Sequence, residues 1–250
     1  YQWVTTRSAP GGKPSSRSRH QGAIATSAHR SAGSGGIPRY WTLKTSGSAG
    51  FQLCDNSRFL ANTAQDWLRN SEHQGCACRG RLQSAVVKKV ARVENMILFT
   101  KYLNKKKELG IRRSEAGSIR QPAFASRGED LWLFHGTTKE SALSIAKCGF
   151  QLFKARDGLY GRGIYFSDSA CKSDQYTRGE NPKVVLLCRV ALGRRYEARG
   201  QEKQPPAGYH SIFAGNSTAN NRSQIHNEYV IFDSDQAYPE YIVEYSQAAL

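Results

Sequence analysis

Apolar positions follow two spacings along the chain, and the change from one to the other predicts most of its elements. Between Ser57 and Leu68, the residues Phe59, Leu60, Ala64, Trp67 and Leu68 recur at helical intervals, which puts them on one face. Val86-Val87-Lys88-Lys89-Val90-Ala91-Arg92-Val93 has the β-branched density and rough alternation of a half-buried strand. Asn95 stands where an N-cap belongs, ahead of a helix through Ile97, Leu98, Tyr102 and Leu103. Lys105-Lys106-Lys107 then suits the negative pole of that helix. Further on, Leu131-Trp132-Leu133-Phe134 is a short apolar strand running out at His135-Gly136-Thr137. Thr137 and Glu140 form a capping-box pattern for the next helix, which Gly149 ends. Gly161 to Ser167 reads as a turn feeding a strand, and Lys172 to Tyr176 as a short helix. Lys183 to Val190 is strongly strand-like and is closed by Gly193. Glu228-Tyr229-Val230-Ile231-Phe232 and Tyr241-Ile242-Val243-Glu244-Tyr245 read as two strands joined at Asp233 to Pro239. Strands with short helices and no regular alternation place the second half in the α+β class.

The polar stretches divide the chain. From Tyr1 to Gly36 no periodic apolar face exists, and no Asp or Glu occurs before Asp55. Residues 1–36 are expected to be a disordered basic arm, because such a composition buries too little surface to offset its ordering entropy. Order is expected from about Ile37. Residues 37–127 form a flank of helices and a strand that includes a turn at Gly75 to Gly80. They end in a loop from Arg113 to Arg127, and residues 128–250 form the core domain. The first residue is Tyr rather than Met, so the sequence is expected to be a fragment, and no signal peptide can be read from it. No apolar run approaches the ~20 residues of a spanning helix, so no membrane partner is expected.

The charge balance, 36 basic against 20 acidic residues, leaves a formal +16. That surplus serves either as a solubilising surface or as an electrostatic footprint for nucleic acid, and the lysine run allows both readings. Six cysteines, Cys54, Cys76, Cys78, Cys148, Cys171 and Cys188, fall at irregular spacings. In a chain of 250 residues they read as reduced thiols of the nucleus or cytoplasm, the nucleus being favoured by the basic arm. His73, Cys76 and Cys78 lack a fourth ligand, so no metal is expected.

Gly161-Arg162-Gly163 does not continue as a dinucleotide fingerprint, since Phe166 stands at the third glycine position, and no P-loop occurs. Three other features carry candidate chemistry. His135 ends an apolar strand just before a helix, where a side chain emerges into a cleft or simply completes the core. Tyr165 and Tyr176 lie on neighbouring elements and form either a slot for a flat heteroaromatic ring or ordinary core. Glu228 opens an apolar strand, as a solvated strand end or as a positioned acid/base group.

Taken together, these segments resemble the catalytic domain of the poly(ADP-ribose) polymerase family. Leu133-Phe134-His135-Gly136-Thr137 resembles its opening motif, and Gly161-Arg162-Gly163-Ile164-Tyr165-Phe166-Ser167 its tyrosine strand, followed by Lys172-Ser173-Asp174-Gln175-Tyr176. Asn227-Glu228-Tyr229-Val230-Ile231-Phe232 and Gln236-Ala237-Tyr238-Pro239-Glu240-Tyr241 resemble the closing segment, much as in tankyrases and in members carrying ADP-ribose-reading domains. The likeness covers roughly residues 128–246 and extends more weakly upstream through Val90 to Asn95. It implies an ADP-ribosyltransferase fold of two packed, mainly antiparallel sheets, with NAD consumed as a substrate. His135, Tyr165 and Glu228 would be the catalytic set. His135, Gly136, Thr137, Tyr165, Ser173, Tyr176 and Glu228 would bind NAD. In that scheme the Gly136 backbone and the Ser173 hydroxyl hold the carboxamide, the two tyrosines sandwich the nicotinamide, and His135 and Glu228 bond ribose hydroxyls. A glutamate at the third position accompanies polymer-forming members, although some glutamate-bearing members add single units. The expected acceptor is protein, the chain itself included. The stretch from Phe150 to Gly161 is short for the loop that overhangs NAD in this family, and the zinc-binding insertion of tankyrases is absent. Two other readings stand beside an active polymer-forming transferase: a single-unit transferase, and a non-catalytic NAD-fold or nucleic-acid-binding module.

Overall fold

A computed structural model describes residues 38, 40–43, 51–55, 58–71, 82–111, 117–118, 121–122, 130–177, 179–215 and 226–247. The arm at 1–36, the turn at Gly75 to Gly80, the His73, Cys76 and Cys78 group and most of the loop from Arg113 to Arg127 lie outside them. Strand β1 (Phe51–Asp55) and helix α1 (Arg58–Asn70) precede β2 (Ala85–Asn95) and α2 (Met96–Glu108). A two-strand pair follows, β3 (Gly117–Ser118) with β4 (Gln121–Pro122). Then come β5 (Asp130–Thr137), α3 (Lys139–Cys148), β6 (Ile164–Phe166), α4 (Ala170–Asp174) and β7 (Lys183–Ala191). The chain closes with β8 (Arg195–Glu197), β9 (Ser211–Ala214), β10 (Glu228–Ile231) and β11 (Ala237–Gln247).

Nine of these strands make two sheets, ordered β1-β2-β11-β7-β5 and β6-β10-β9-β8. Every pairing in them is antiparallel except β8 with β9. The fold is therefore α+β, as the spacing predicts. Strands β7 and β11 of the larger sheet are covered on both faces and read as largely apolar runs, while β2 leaves Val86 and Lys88 exposed and reads as an alternation. In β7, Val185 and Leu187 face one core with Trp67 and Leu68 of α1, while Val184, Leu186, Cys188 and Val190 face the other. That second core also contains Ile164 and Phe166 of β6 and Tyr229 and Ile231 of β10, so it is the layer that packs the sheets together.

Three boundaries differ from the spacing. Thr138, not Thr137, caps α3: its hydroxyl accepts from Ser141 N at 3.2 Å. Thr137 still pairs with Val184 as the last rung of β5, so the helix starts one residue later. Helix α4 begins at Ala170 and has ended before Tyr176, which follows in a turn. Finally, β10 and β11 are not partners. The short 3-10 turn Ser234–Gln236 carries the chain from the small sheet to the large one, where β11 begins at Ala237. Asn95 caps α2 as expected, accepting from Leu98 N, and Gly149 ends α3 with φ 80°.

Candidate active site

The two sheets meet at one seam. Phe134 N donates to Ser167 O at 2.7 Å and Ser167 N donates back to Phe134 O at 3.0 Å, bridging the middle of β5 to the residue after β6. The candidate residues gather around this seam, on β5, β6, α4 and β10.

His135 leaves the seam half-buried. Its Nδ1 lies 2.8 Å from the carbonyl oxygen of Tyr165, and an oxygen with no proton requires Nδ1–H to be the donor. Burial lowers the imidazole pKa, and the bond to Tyr165 opposes that only in part. A neutral ring with Nδ1 protonated leaves Nε2 as an acceptor, suited to a hydroxyl. Phe150 meets the ring edge-on at 5.1 Å and Phe166 packs at 5.5 Å, so its orientation is fixed by packing as well.

Tyr165 is anchored at its far end. Its hydroxyl accepts from Tyr160 N at 2.9 Å and donates to Gly161 O at 2.8 Å, and burial pushes its pKa up to about 12. A Cβ on Gly158 would lie 2.4 Å from that hydroxyl, so only glycine lets the loop close over it. The loop is tied further by Arg162, which donates to Phe153 O and Ala155 O, and by Lys203, which reaches Gly158 O and Leu159 O.

Gly136 and Ser173 touch backbone to backbone. A Cβ on Gly136 would sit 1.8 Å from Ser173 O, so β5 can approach α4 this closely only with glycine there. Ser173 itself is buried. Thr137 is the last residue of β5, opposite Val184.

Glu228 is the first residue of β10 and is buried, and Lys172 meets it with an ion pair of 2.7 Å. Burial alone would lower the Lys172 pKa, but the hydrogen bond and charge of Glu228 outweigh it and hold the ammonium above its ordinary value. The same ammonium lies over the face of Tyr176 at 5.6 Å, and Tyr176 is half exposed. The charges of Glu228 and Tyr176 add to burial in raising the Tyr165 pKa. The structure thus brings Tyr165, Tyr176 and Glu228 into one neighbourhood. His135 joins it through the Tyr165 backbone, and Gly136 through Ser173.

Sequence reasoning passed over Lys172 and Asp168. Lys172 and Tyr176 are spaced i, i+4, which was legible, but the partnership with Glu228 joins helix α4 to strand β10, distant in sequence. Asp168 carries no motif signal. None of the candidate residues lines the cavity of about 340 Å³ bordered by Leu98, Lys101, Cys148, Phe153 and Asp235. Phe150 both lines that cavity and packs on His135. Among the described residues no group of three or more His, Cys, Asp or Glu side chains is arranged to hold a metal ion.

A family model, the poly(ADP-ribose) polymerase catalytic domain, matches residues 70–247. Human protein mono-ADP-ribosyltransferase PARP12 is 26% identical over 219 residues, covering 85% of this chain and 28% of the relative. A probable poly [ADP-ribose] polymerase of Dictyostelium discoideum is 29% identical over 168 residues, covering 65% of this chain and 45% of the relative. Human protein mono-ADP-ribosyltransferase PARP4 is 29% identical over 130 residues, or 46% of this chain and 8% of the relative. The chain therefore spans less than half the length of these curated relatives.

Proposed function

The chain belongs to the poly(ADP-ribose) polymerase catalytic domain family, and from that membership we propose that it is an ADP-ribosyltransferase that consumes NAD, with His135, Tyr165 and Glu228 as its catalytic set. The observation that carries the reading is the Lys172–Glu228 ion pair of 2.7 Å, which holds a buried carboxylate in the neighbourhood of Tyr165 and Tyr176. A lone glutamate opening an apolar strand is ambiguous, but a buried one paired with a cation supports a role in the chemistry.

The residues fit NAD. The close backbone approach of Gly136 to Ser173 leaves no side chain where the flat carboxamide is expected, and Tyr165 offers an anchored ring as a wall. The acceptor face of His135 suits a ribose hydroxyl, Tyr176 would close the other side of the ring, and Thr137 lies next in β5. In the reaction the bond between the ribose C1′ and the nicotinamide nitrogen breaks, and nicotinamide leaves with the electron pair. Positive charge develops on the sugar, as in glycoside cleavage, and Glu228 stabilises it. A lone pair on the acceptor forms the new bond to C1′, and its proton passes to the carboxylate. The protein contributes orientation, electrostatics and a proton acceptor.

Glu228 supports elongation, since a carboxylate that receives the proton of an acceptor hydroxyl serves equally when that hydroxyl belongs to a previous ADP-ribose. The names of PARP12 and PARP4 favour a second reading, in which single units are added. The proposed acceptor is protein, the chain itself included, in a nuclear or cytoplasmic setting. Labelled NAD, with products resolved by size, separates the readings. A ladder that collapses to a single band in Glu228→Gln supports elongation, and one discrete band from the unaltered chain supports single-unit transfer.

A further inference from the structure

We infer that Asp168 is a positioning residue for Glu228, fixing through Asn227 and Tyr229 the strand start from which that carboxylate is presented. The inference rests on the reading of Glu228 as the acid/base group.

Asp168 follows β6 at the seam and is only 7% exposed. Its Oδ2 accepts from Asn227 Nδ2 at 2.8 Å and from the Tyr229 hydroxyl at 3.1 Å, the residues immediately before and after Glu228. Its Oδ1 accepts from the Ser169 hydroxyl at 3.2 Å. The preceding residue adds a backbone tie: Ser167 Oγ donates to Asn227 O at 2.7 Å and accepts from Ser169 N at 3.1 Å. One turn, Ser167-Asp168-Ser169, thereby holds both chain neighbours of Glu228.

Three features make this more than a structural tie. First, a buried carboxylate is a costly way to join two strands that already pair in register, Tyr229 with Phe166 and Val230 with Tyr165. Burial pushes the Asp168 carboxyl up, and the hydrogen bonds from Asn227, Tyr229 and Ser169 only oppose it. Second, side chains alternate along a strand, so Tyr229 points away from the face that carries Glu228. Asp168 grips β10 from behind while Lys172 meets Glu228 in front. Third, the same turn leads directly into α4, which carries Lys172, so one short segment fixes both the carboxylate and its counter-ion. A partner network of this kind keeps a reacting group within the fraction of an ångström that catalysis needs.

The test is a double-mutant cycle read by steady-state nicotinamide release from NAD, with thermal unfolding checked for each variant. It uses Asp168→Ala, Asp168→Asn, Glu228→Gln and the combinations. Asp168→Ala is expected to lower kcat about ten- to a hundredfold, the scale of a misplacement near 1 Å, with little change in the KM for NAD. Asp168→Asn keeps one carbonyl acceptor and is expected to recover part of that loss. In the Glu228→Gln background either change should cost less than about twofold more, because the group being positioned is gone. If Asp168→Ala does not fold, Asp168→Asn carries the cycle alone. Multiplicative losses in the combined variants, a KM that rises as far as kcat falls, or an unchanged kcat would overturn the inference while leaving the role of Glu228 intact. An unimpaired Glu228→Gln would remove both.

Discussion

At His135 two effects oppose each other: burial disfavours the imidazolium, and the Tyr165 carbonyl favours a protonated Nδ1, which the neutral ring already supplies. The folded pKa is lowered, so the stability this residue contributes is full above the ordinary histidine value of about 6.5. It is lost as pH falls through the folded value, because the unfolded chain takes up the proton first. Thermal unfolding followed from pH 8 to 5 is expected to show the native chain losing more stability than His135→Asn, which keeps a donor toward Tyr165 O. Parallel profiles would contradict it. His135, Tyr165 and Glu228 stood out as candidates because each sits in a short contiguous motif that resembles the family's. Lys172 and Asp168 were not, because their partners lie far along the chain; Asp168 reaches across 59 and 61 residues to Asn227 and Tyr229. Periodicity reports which face of its own element a residue occupies, and says nothing about which other element arrives there.

Among the elements, type was easier to read than extent. The apolar run of β7 is visible because both its faces are covered, and the alternation of β2 because one face stays open over its first half. Strand β11 is longer than Tyr241 to Tyr245, since it runs from Ala237 through Pro239, which reads as a breaker. The ladder to β7 shifts register between Pro239 and Tyr241, and an irregularity of this kind is where a strand accommodates a residue without an N–H. At α3 the cap falls on Thr138 rather than on Thr137, because Thr137 is paired into β5. The contact of β5 with α4 gives a prediction at this scale. Gly136→Ala would force a Cβ against Ser173 O, and since both sides are backbone neither can swing aside. We expect a loss of about 1–3 kcal/mol in stability and a raised KM for NAD, measured by chemical denaturation and steady-state kinetics. Unchanged stability and KM would show that the two elements separate freely.

For the molecule as a whole, the fold class was written in the spacing but the sheet order was not. Strand β11, near the end of the chain, lies between β2 and β7, so the larger sheet is assembled from its first and last segments. Buried polar groups lock the early segment in place: Glu94 accepts from Thr42 N and Leu43 N and pairs with Arg92, and Tyr40 donates to Glu240. Pairings of such long range depend on which apolar faces fit together, which no local pattern encodes. The basic arm belongs to this scale too. On the alternative reading of the charge as a nucleic-acid footprint, deleting residues 1–36 would leave NAD turnover intact while weakening that binding and flattening its salt dependence, as titrations at several salt concentrations would reveal. Binding that is unchanged would place the electrostatic footprint elsewhere on the +16 surface. The most direct measurement of the central claim is nicotinamide release from NAD by the chain and by Glu228→Gln. The account predicts release by the unaltered chain and a fall of about a hundredfold or more in the variant, the scale of a lost acid/base group. Release no faster than in buffer, or a variant as active as its parent, would contradict it.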